Sequence, residues 1–343
     1  MSSLSPISEI VMRNLAQLTK APLLLINPPA DNLSFELKQA DIAAHFFTTD
    51  LITAKRLETN GADVSFGDTP ANGCHPWSQA ILCWPKAKAH AELLLTQTLP
   101  LLADGAELWL VGENRGGINS AAKVLKSLGY RCHKSDSARR CSLFFSNITS
   151  AAKSSSYQFQ YFSVPFQQQS FDCASLPGVF NHGKLDAGTL LLLQTLEQSP
   201  PYQGRAVDIG CGAGVITTAL HYHSPKLELT SCDVNAMALA ATKQTAIHNG
   251  YQTTVVASDL LTNTEDQFDL VISNPPFHQG LATDYDISAN LFKQAYARLN
   301  AAGELRIVAN GFLPYAEQIV RIFGNCRVLS ENRQFKVYSA TKS

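Results

Sequence analysis

Ala206-Val207-Asp208-Ile209-Gly210-Cys211-Gly212-Ala213-Gly214 is a short apolar run that breaks into three alternating glycines and passes into a helical pattern, Gly214 to His221. A buried strand that turns through glycines into a helix beginning near Val215 is a nucleotide-cofactor turn. Its backbone must adopt positive φ and approach a ligand without a β-carbon in the way, and the helix start offers unpaired N–H groups to an anionic group. A dinucleotide-binding turn would carry its third glycine at position 215, and Val215 stands there, which weighs against NAD.

Working outward, short apolar runs alternate with longer helical patterns. Ala206 to Ile209 precedes the helix; Leu227 to Cys232 is followed by the helical Ala236 to His248; then come Thr253 to Ala257, Phe268 to Ser273 and Leu305 to Ala309. This alternation predicts a parallel sheet wrapped by helices. A helix over Pro314 to Phe323 is followed by Cys326 to Leu329 and Phe335 to Ser339, joined by the polar Ser330 to Gln334. A terminal hairpin on a parallel sheet is the methyltransferase variant of the doubly wound α/β fold. Two acidic strand tips fit a nucleoside ligand. Asp233 ends the second run, where a carboxylate can accept from both ribose hydroxyls, and Asp259 in Ala257-Ser258-Asp259-Leu260 ends the third, within reach of an adenine amino group. Asp233 could instead cap the helix that follows it.

The most specific feature is Ser273-Asn274-Pro275-Pro276-Phe277 after the fourth run. Two prolines fix an extended turn, because proline locks its own φ and restricts the residue before it. An aryl-type amine is a poor nucleophile, since its lone pair is conjugated with the ring. The Asn274 side-chain oxygen and the Pro275 carbonyl can accept from its N–H groups and favour a pyramidal nitrogen. Phe277 offers a face for the base, worth about 1 to 3 kcal/mol on comparable platforms. No strong base is needed when the methyl donor is a sulfonium. His278 is adjacent, but a loop histidine without an identified partner is more simply solvated.

A polar, serine-rich stretch from Ser146 to Gln158 separates two segments of apolar periodicity. It predicts a domain over 1–150, a linker over 151–160 and a second domain over 161–343. The first half holds a fainter copy of the second: Gly105-Ala106-Glu107-Leu108-Trp109-Leu110-Val111 lies beside Ala302-Gly303-Glu304-Leu305-Arg306-Ile307-Val308. Ile81 to Pro85 sits where Val271 to Pro275 sits, with 23 residues from Trp84 to the shared glutamate against 29 from Pro275. The extra length predicts a substrate-covering loop, His278 to Ser288, in the second copy alone. In the first copy Leu23 to Ile26 leads into Asn27-Pro28-Pro29 instead of a triple-glycine turn, and Cys83-Trp84-Pro85-Lys86 replaces the acceptor motif, so no cofactor is expected there.

With 45% hydrophobic and 16% charged residues among 343, the chain suits two globular domains. No stretch has the apolar length of a membrane span and no export signal opens the chain, so a cytoplasmic protein is expected. Eight scattered cysteines without metal-knuckle spacing predict reduced thiols; Cys132, His133 and Cys141 lack further ligands, and no metal is expected. The net charge of -1 conceals an asymmetry. Between Glu113 and Lys153, eight basic residues (Arg115, Lys123, Lys126, Arg131, Lys134, Arg139, Arg140, Lys153) face two acidic ones. Such a run is either a solvated face or a phosphate-contacting patch; Arg115 to Arg140 are the candidates for RNA.

On these residues the second half resembles the ribosomal RNA guanine 2-amino methyltransferases, and the likeness runs nearly end to end. Leu176-Pro177-Gly178-Val179-Phe180, Leu185-Asp186-Ala187-Gly188-Thr189, the Val207 to Gly214 turn, Ser273 to His278 and Gly303 to Asn310 carry it. The resemblance implies two tandem Rossmann-like class I domains dependent on S-adenosylmethionine, the first degenerate and serving RNA recognition and cover for the second. It implies methylation of a guanine 2-amino group in small-subunit rRNA, with the assembled subunit as partner; a monomer is expected. It also implies that Phe180, Asp186, Gly188 and Thr189 line the cofactor pocket with Asp208, Gly210, Gly212, Gly214, Asp233, Asp259 and Asn274. From the residues alone, the Asp186 to Thr189 segment reads equally as a helix cap. Two alternatives stay open: a protein glutamine or DNA adenine methyltransferase, whose acceptor motif usually ends in Tyr where Phe277 stands, and a non-catalytic RNA-binding assembly factor.

Overall fold

The computed structural model describes residues 4–18, 21–70, 76–149, 157–275 and 281–343, with backbone alone for 281–287. The chain divides into two compact units, Met1–Gln158 and Phe159–Ser343. The first carries α1 (Pro6–Arg13), β1 (Leu23–Ile26), α2 (Leu33–Gln39), β2 (Ala44–Thr48), α3 (Leu51–Thr59), β3 (Asp63–Phe66) and β4 (Trp77–Cys83). It continues through α4 (Lys88–Thr98), β5 (Leu102–Glu113), α5 (Ala121–Ser127), β6 (His133–Ala138) and β7 (Cys141–Ile148). The second opens with the hairpin β8 (Gln160–Phe166) and β9 (Gln169–Ser175), then α6 (Ala187–Glu197), β10 (Arg205–Ile209), α7 (Val215–His223), β11 (Glu228–Asp233), α8 (Ala236–His248) and β12 (Thr254–Ala257). It closes with β13 (Phe268–Ser273), α9 (Leu281–Arg298), β14 (Leu299–Asn310), α10 (Tyr315–Phe323), β15 (Arg327–Glu331) and β16 (Phe335–Thr341).

Each unit holds one seven-stranded sheet, and the two orders are the same: β3-β2-β1-β4-β5-β7-β6 and β12-β11-β10-β13-β14-β16-β15. In both, the first five strands are parallel and the last two form an antiparallel end. Parallel strands joined by helical crossovers bury both faces, and β1 (Leu-Leu-Leu-Ile) is buried throughout, as such a strand must be. The shared strand is used twice in detail. β5 and β14 each slip in register at the same point against β4 and β13, and Gly105 and Ala302 occupy the same left-handed turn, at φ 79° and 63°.

The second sheet is closed on one side by α6, and a buried charge fixes that helix. Arg306, its side chain 5% exposed, donates to the Thr195 carbonyl at 3.0 Å and to Ser199 Oγ at 2.9 Å, near the end of α6. Glu304 balances it at 3.0 Å and also accepts from Tyr202 Oη and Ser339 Oγ. The guanidinium thus bonds a carbonyl in the last turn of the helix, where the backbone supplies no i+4 donor.

Three expectations change. Ser146 is buried in β7, donating to the Arg131 carbonyl, so the polar stretch starts inside a strand and not after it. Residues 281–288, expected as loop, lie in α9; only 278–280 of that segment fall outside the described residues. Pairing puts Cys83 in the place of Asn274 and Trp84 in that of Pro275, one residue away from the alignment of Ile81 to Pro85 with Val271 to Pro275. Among the described residues no helix is long and apolar enough to cross a membrane, and the seven described cysteines are free thiols.

Replacing Arg306 by Leu strands Glu304 and the end of α6. Chemical denaturation of the second unit should show a loss of about 3 to 5 kcal/mol, where an exposed ion pair would cost under about 1 kcal/mol.

Candidate active site

The tips of β10, β11, β12 and β13 are tied to one another by hydrogen bonds. Gly210 N and Cys211 N both donate to the Cys232 carbonyl, at 2.8 and 3.0 Å, and Gly212 N donates to Asp233 Oδ2 at 3.0 Å. Ser258 N donates to the Asp233 carbonyl at 3.0 Å, which sets Asp259 one residue further along. Ser273, fully buried, donates from its hydroxyl to the Ile209 carbonyl at 2.7 Å. Since Ile209 pairs with Ser273, Gly210 and Asn274 leave the sheet side by side.

The three glycines do different work. A β-carbon at Gly210 would meet nothing within 4 Å and one at Gly212 only a backbone oxygen at 4.0 Å, so both face open space at φ 74° and 56°. A β-carbon at Gly214 would stand 3.3 Å from the Thr242 backbone, so this glycine serves the approach of the turn to α8. Asp233 does not cap α8; Asn235 does, accepting from Met237 N at 2.9 Å, while Asp233 Oδ1 accepts from Asn235 N. The same Asn235 donates to the Gly178 carbonyl at 3.0 Å, which brings the loop of Phe180, 54% exposed, beside the β11 tip.

Asp208 is placed beneath the turn, 1% exposed, where Oδ2 accepts from Thr217 N and Oγ1 at 3.2 and 2.8 Å and fixes the first turn of α7. Its Oδ1 is buried without a partner. Burial raises its carboxyl to about 7; the Thr217 bonds pull the other way and the Asp233 charge adds a little.

Asn274 is half-buried, and its amide nitrogen donates to Asp186 Oδ2 at 2.9 Å and to Thr189 Oγ1 at 2.8 Å. Asp186 is also the N-cap of α6, accepting from Thr189 N at 3.0 Å. Gly188 sits between: a β-carbon there would lie 3.0 Å from Asp186 Oδ2 and 3.2 Å from the Phe335 ring. Pro275 is buried; Pro276, Phe277 and His278 lie outside the described residues. The link from α6 to Asn274 was not read from sequence, although Asp186-x-x-Thr189 ahead of Leu190 to Leu193 is a helix-start signal.

The first unit answers the same positions differently. Asn27 stands in the place of Gly210, Thr48 in that of Asp233 and Cys83 in that of Asn274. Asn27 holds the left-handed conformation at φ 55° and repeats the glycine's bond, N to the Phe47 carbonyl at 2.8 Å. Its side chain then donates to the Cys83 carbonyl at 2.9 Å, across the gap between two strand tips. Pro28 and Pro29 take the places of Cys211 and Gly212 and have no N–H to give.

The basic residues form two groups. Lys123, Lys126, Arg131 and His133 line an open groove beside α5, with Lys134 next along β6. Arg139 and Arg140 turn the hairpin at the other end of β6, roughly 20 Å away at about 3.3 Å per residue. Arg140 is joined to Asn114, next to Arg115, by a 2.8 Å backbone bond, and Arg139 is paired with Glu9 at 2.8 Å. Among the described residues no group of three or more side chains could hold a metal.

Two Rossmann-like sheets of methyltransferase topology, one with a glycine turn, an acidic second tip and an Asn-Pro turn at the fourth, define a tandem methyltransferase. The family Methyltransferase small domain matches residues 170–339, and Methyltransferase small domain N-terminal matches 8–162. Ribosomal RNA small subunit methyltransferase C of Aliivibrio salmonicida (strain LFI1238) is 38% identical over 343 residues, 99% of this chain and 100% of that protein. The protein of that name from Vibrio vulnificus (strain CMCP6) is 38% identical over all of both chains. The chain belongs to the ribosomal RNA small subunit methyltransferase C family. In fold it matches the T. thermophilus 16S rRNA N2 G1207 methyltransferase, solved in complex with AdoMet and guanosine, at TM-score 0.86 and 23% identity, covering 99% of this chain and 92% of that one.

The raised Asp208 carboxyl sets a pH dependence. Unfolded, the group titrates near 3.8 and folded at about 7, so in that window the folded state keeps a proton that the unfolded state has lost. Its contribution to stability is full below the lower value and is lost as pH rises through the higher one. Asp208→Asn should therefore gain on the wild type, in unfolding free energy, from pH 4 to pH 7 and no further above it.

Proposed function

We propose that this chain transfers a methyl group from S-adenosylmethionine to the exocyclic 2-amino group of a guanine in 16S rRNA, acting on the assembled small subunit. The observation that carries the reading is the adjacency of the glycine turn and Asn274 at paired strand tips, with open space over Gly210 and Gly212. That open cradle suits the cofactor. The backbone around Gly210 and Gly212 would face its amino-acid part, Asp233 its ribose, Asp259 its adenine, and the Phe180 loop its edge, while Asp208 and Gly214 hold the turn in shape. When bound, S-adenosylmethionine supplies an electrophilic sulfonium methyl.

The chain's own part is orientation. Asn274 Oδ1 and the Pro275 carbonyl accept from the target N–H groups and turn the nitrogen lone pair toward the methyl. Neither acceptor has to take the proton, because the product amine gives it to solvent once its charge has formed. The parts expected of Pro276 and Phe277 from their residue types, restricting the turn and stacking the extruded base, fall on residues outside the described ones. The first unit contributes RNA contact through Lys123, Lys126, Arg131 and Lys134 beside α5, with Arg115, Arg139 and Arg140 as a second point of contact. We take the enzyme to act as a cytoplasmic monomer without metal.

Purified protein incubated with labelled S-adenosylmethionine and small subunits lacking the modification should label one guanine of the 16S rRNA. Label in protein or DNA alone points to the amide or adenine alternative, and no label with tight subunit binding points to an assembly factor. Asn274→Ala should lower turnover by about 10²- to 10³-fold with cofactor binding retained. Lys123→Ala and Lys126→Ala should each weaken subunit binding and reduce the slope of log affinity against log salt by about one, with no change in cofactor affinity.

A further inference from the structure

Asn274 can serve as an acceptor only if its amide presents oxygen, and not nitrogen, to the substrate. An asparagine side chain has nearly the same shape in its two flipped states, so packing alone does not choose between them. We infer that Asp186 and Thr189 make the choice, as positioning residues that hold the Asn274 amide with its oxygen toward the target amine. The inference rests on the acceptor reading of Asn274 given above and assigns that reading its structural cause.

An ionised carboxylate accepts and never donates. With Asp186 Oδ2 at 2.9 Å, the Asn274 atom facing it must be nitrogen, because an oxygen there would meet an oxygen. The second amide hydrogen goes to Thr189 Oγ1 at 2.8 Å, and that hydroxyl can turn its own hydrogen toward Asp186 Oδ2, 3.5 Å away. Both amide hydrogens are thereby committed, and among the described residues the oxygen is the polar atom of the side chain left for a ligand. Asp186 is itself held by its bond from Thr189 N at the start of α6, and Thr189 is 7% exposed. Gly188 completes the arrangement, since a β-carbon there would press on the carboxylate at 3.0 Å.

This differs from a cofactor-contact role for Asp186 and Thr189, and the two are separable. Thr189→Val removes the hydroxyl acceptor at constant shape. Asp186→Ser keeps an N-cap oxygen for α6, as serine is a good cap, but withdraws the carboxylate from Asn274. The double variant should lower kcat about a hundredfold at saturating cofactor and subunits, with S-adenosylmethionine Kd unchanged by equilibrium binding and native circular dichroism retained. Thr189→Ser, which keeps the hydroxyl, and Asp186→Asn, which keeps an acceptor oxygen, should restore most of the turnover. A rise in cofactor Kd with kcat preserved at saturation overturns the inference and makes the pair cofactor contacts. Unchanged kcat and Kd overturn it as well. Asn274→Ala run alongside separates the two levels: turnover surviving in that variant removes the acceptor reading itself, whereas an inactive Asn274→Ala beside a fully active double variant removes the positioning role alone.

Discussion

Backbone polarity at the ends of parallel strands is the constraint on which the second unit is built. A strand that stops at an open sheet edge leaves N–H and C=O groups without ladder partners, and each must find another or face water. Here they are spent on neighbouring tips: Gly210 and Cys211 on the Cys232 carbonyl, Ser258 on the Asp233 carbonyl, and the Ser273 hydroxyl on Ile209. The four tips are therefore tied together by the chain's own bonds, with no ligand needed to join them. What remains unspent, the open space over two glycines and the oxygen of one amide, is where chemistry can occur. Preorganisation of this kind lowers a barrier because nothing has to reorient during reaction.

The arrangement at the edge is passed down from deeper in the unit. Asp208 below the turn fixes α7, and Arg306 in the sheet fixes the far end of α6, whose near end carries Asp186 and Thr189. Both groups are buried charges or near-charges, which cost desolvation unless each lone pair and proton is matched. Asp208 keeps one oxygen unmatched and is correspondingly easy to protonate.

Much of this was legible in the sequence where local and tertiary preferences agree. Ala236 to His248 and Phe268 to Ser273 are helix and strand at the residues where their patterns begin and end. The glycine turn, Asp233 and Asn274 arrive at one edge because doubly wound sheets bring strand ends together regardless of side-chain detail. Other features were hidden for identifiable reasons. β8 and β9, seven residues each, mix Gln, Ser, Pro and Asp among their apolar residues, and their hairpin turns at Gln167 with positive φ and no glycine to announce it. The first half of β14 holds Asn300, Ala301, Ala302 and Gly303 between its two points of pairing with β13, Leu299 with Phe268 and Glu304 with Leu270, a register slip that no local pattern marks. The hold of Asp186 on Asn274 spans 88 positions of chain, and no local spacing encodes a contact that only the fold creates.

The two prolines after Asn27 also set how far the first unit stands from a ligand-ready edge. Restoring a ligand-ready edge in the first unit would require an N–H at 28 and at 29, a small residue at 27 in place of a side chain already bonded to the Cys83 carbonyl, and an acid at 48. Of these exchanges, the one at 27 also removes the bond between two strand tips. A return of ligand binding to the first unit would therefore need several coordinated exchanges at one sheet edge, where the second unit needs none.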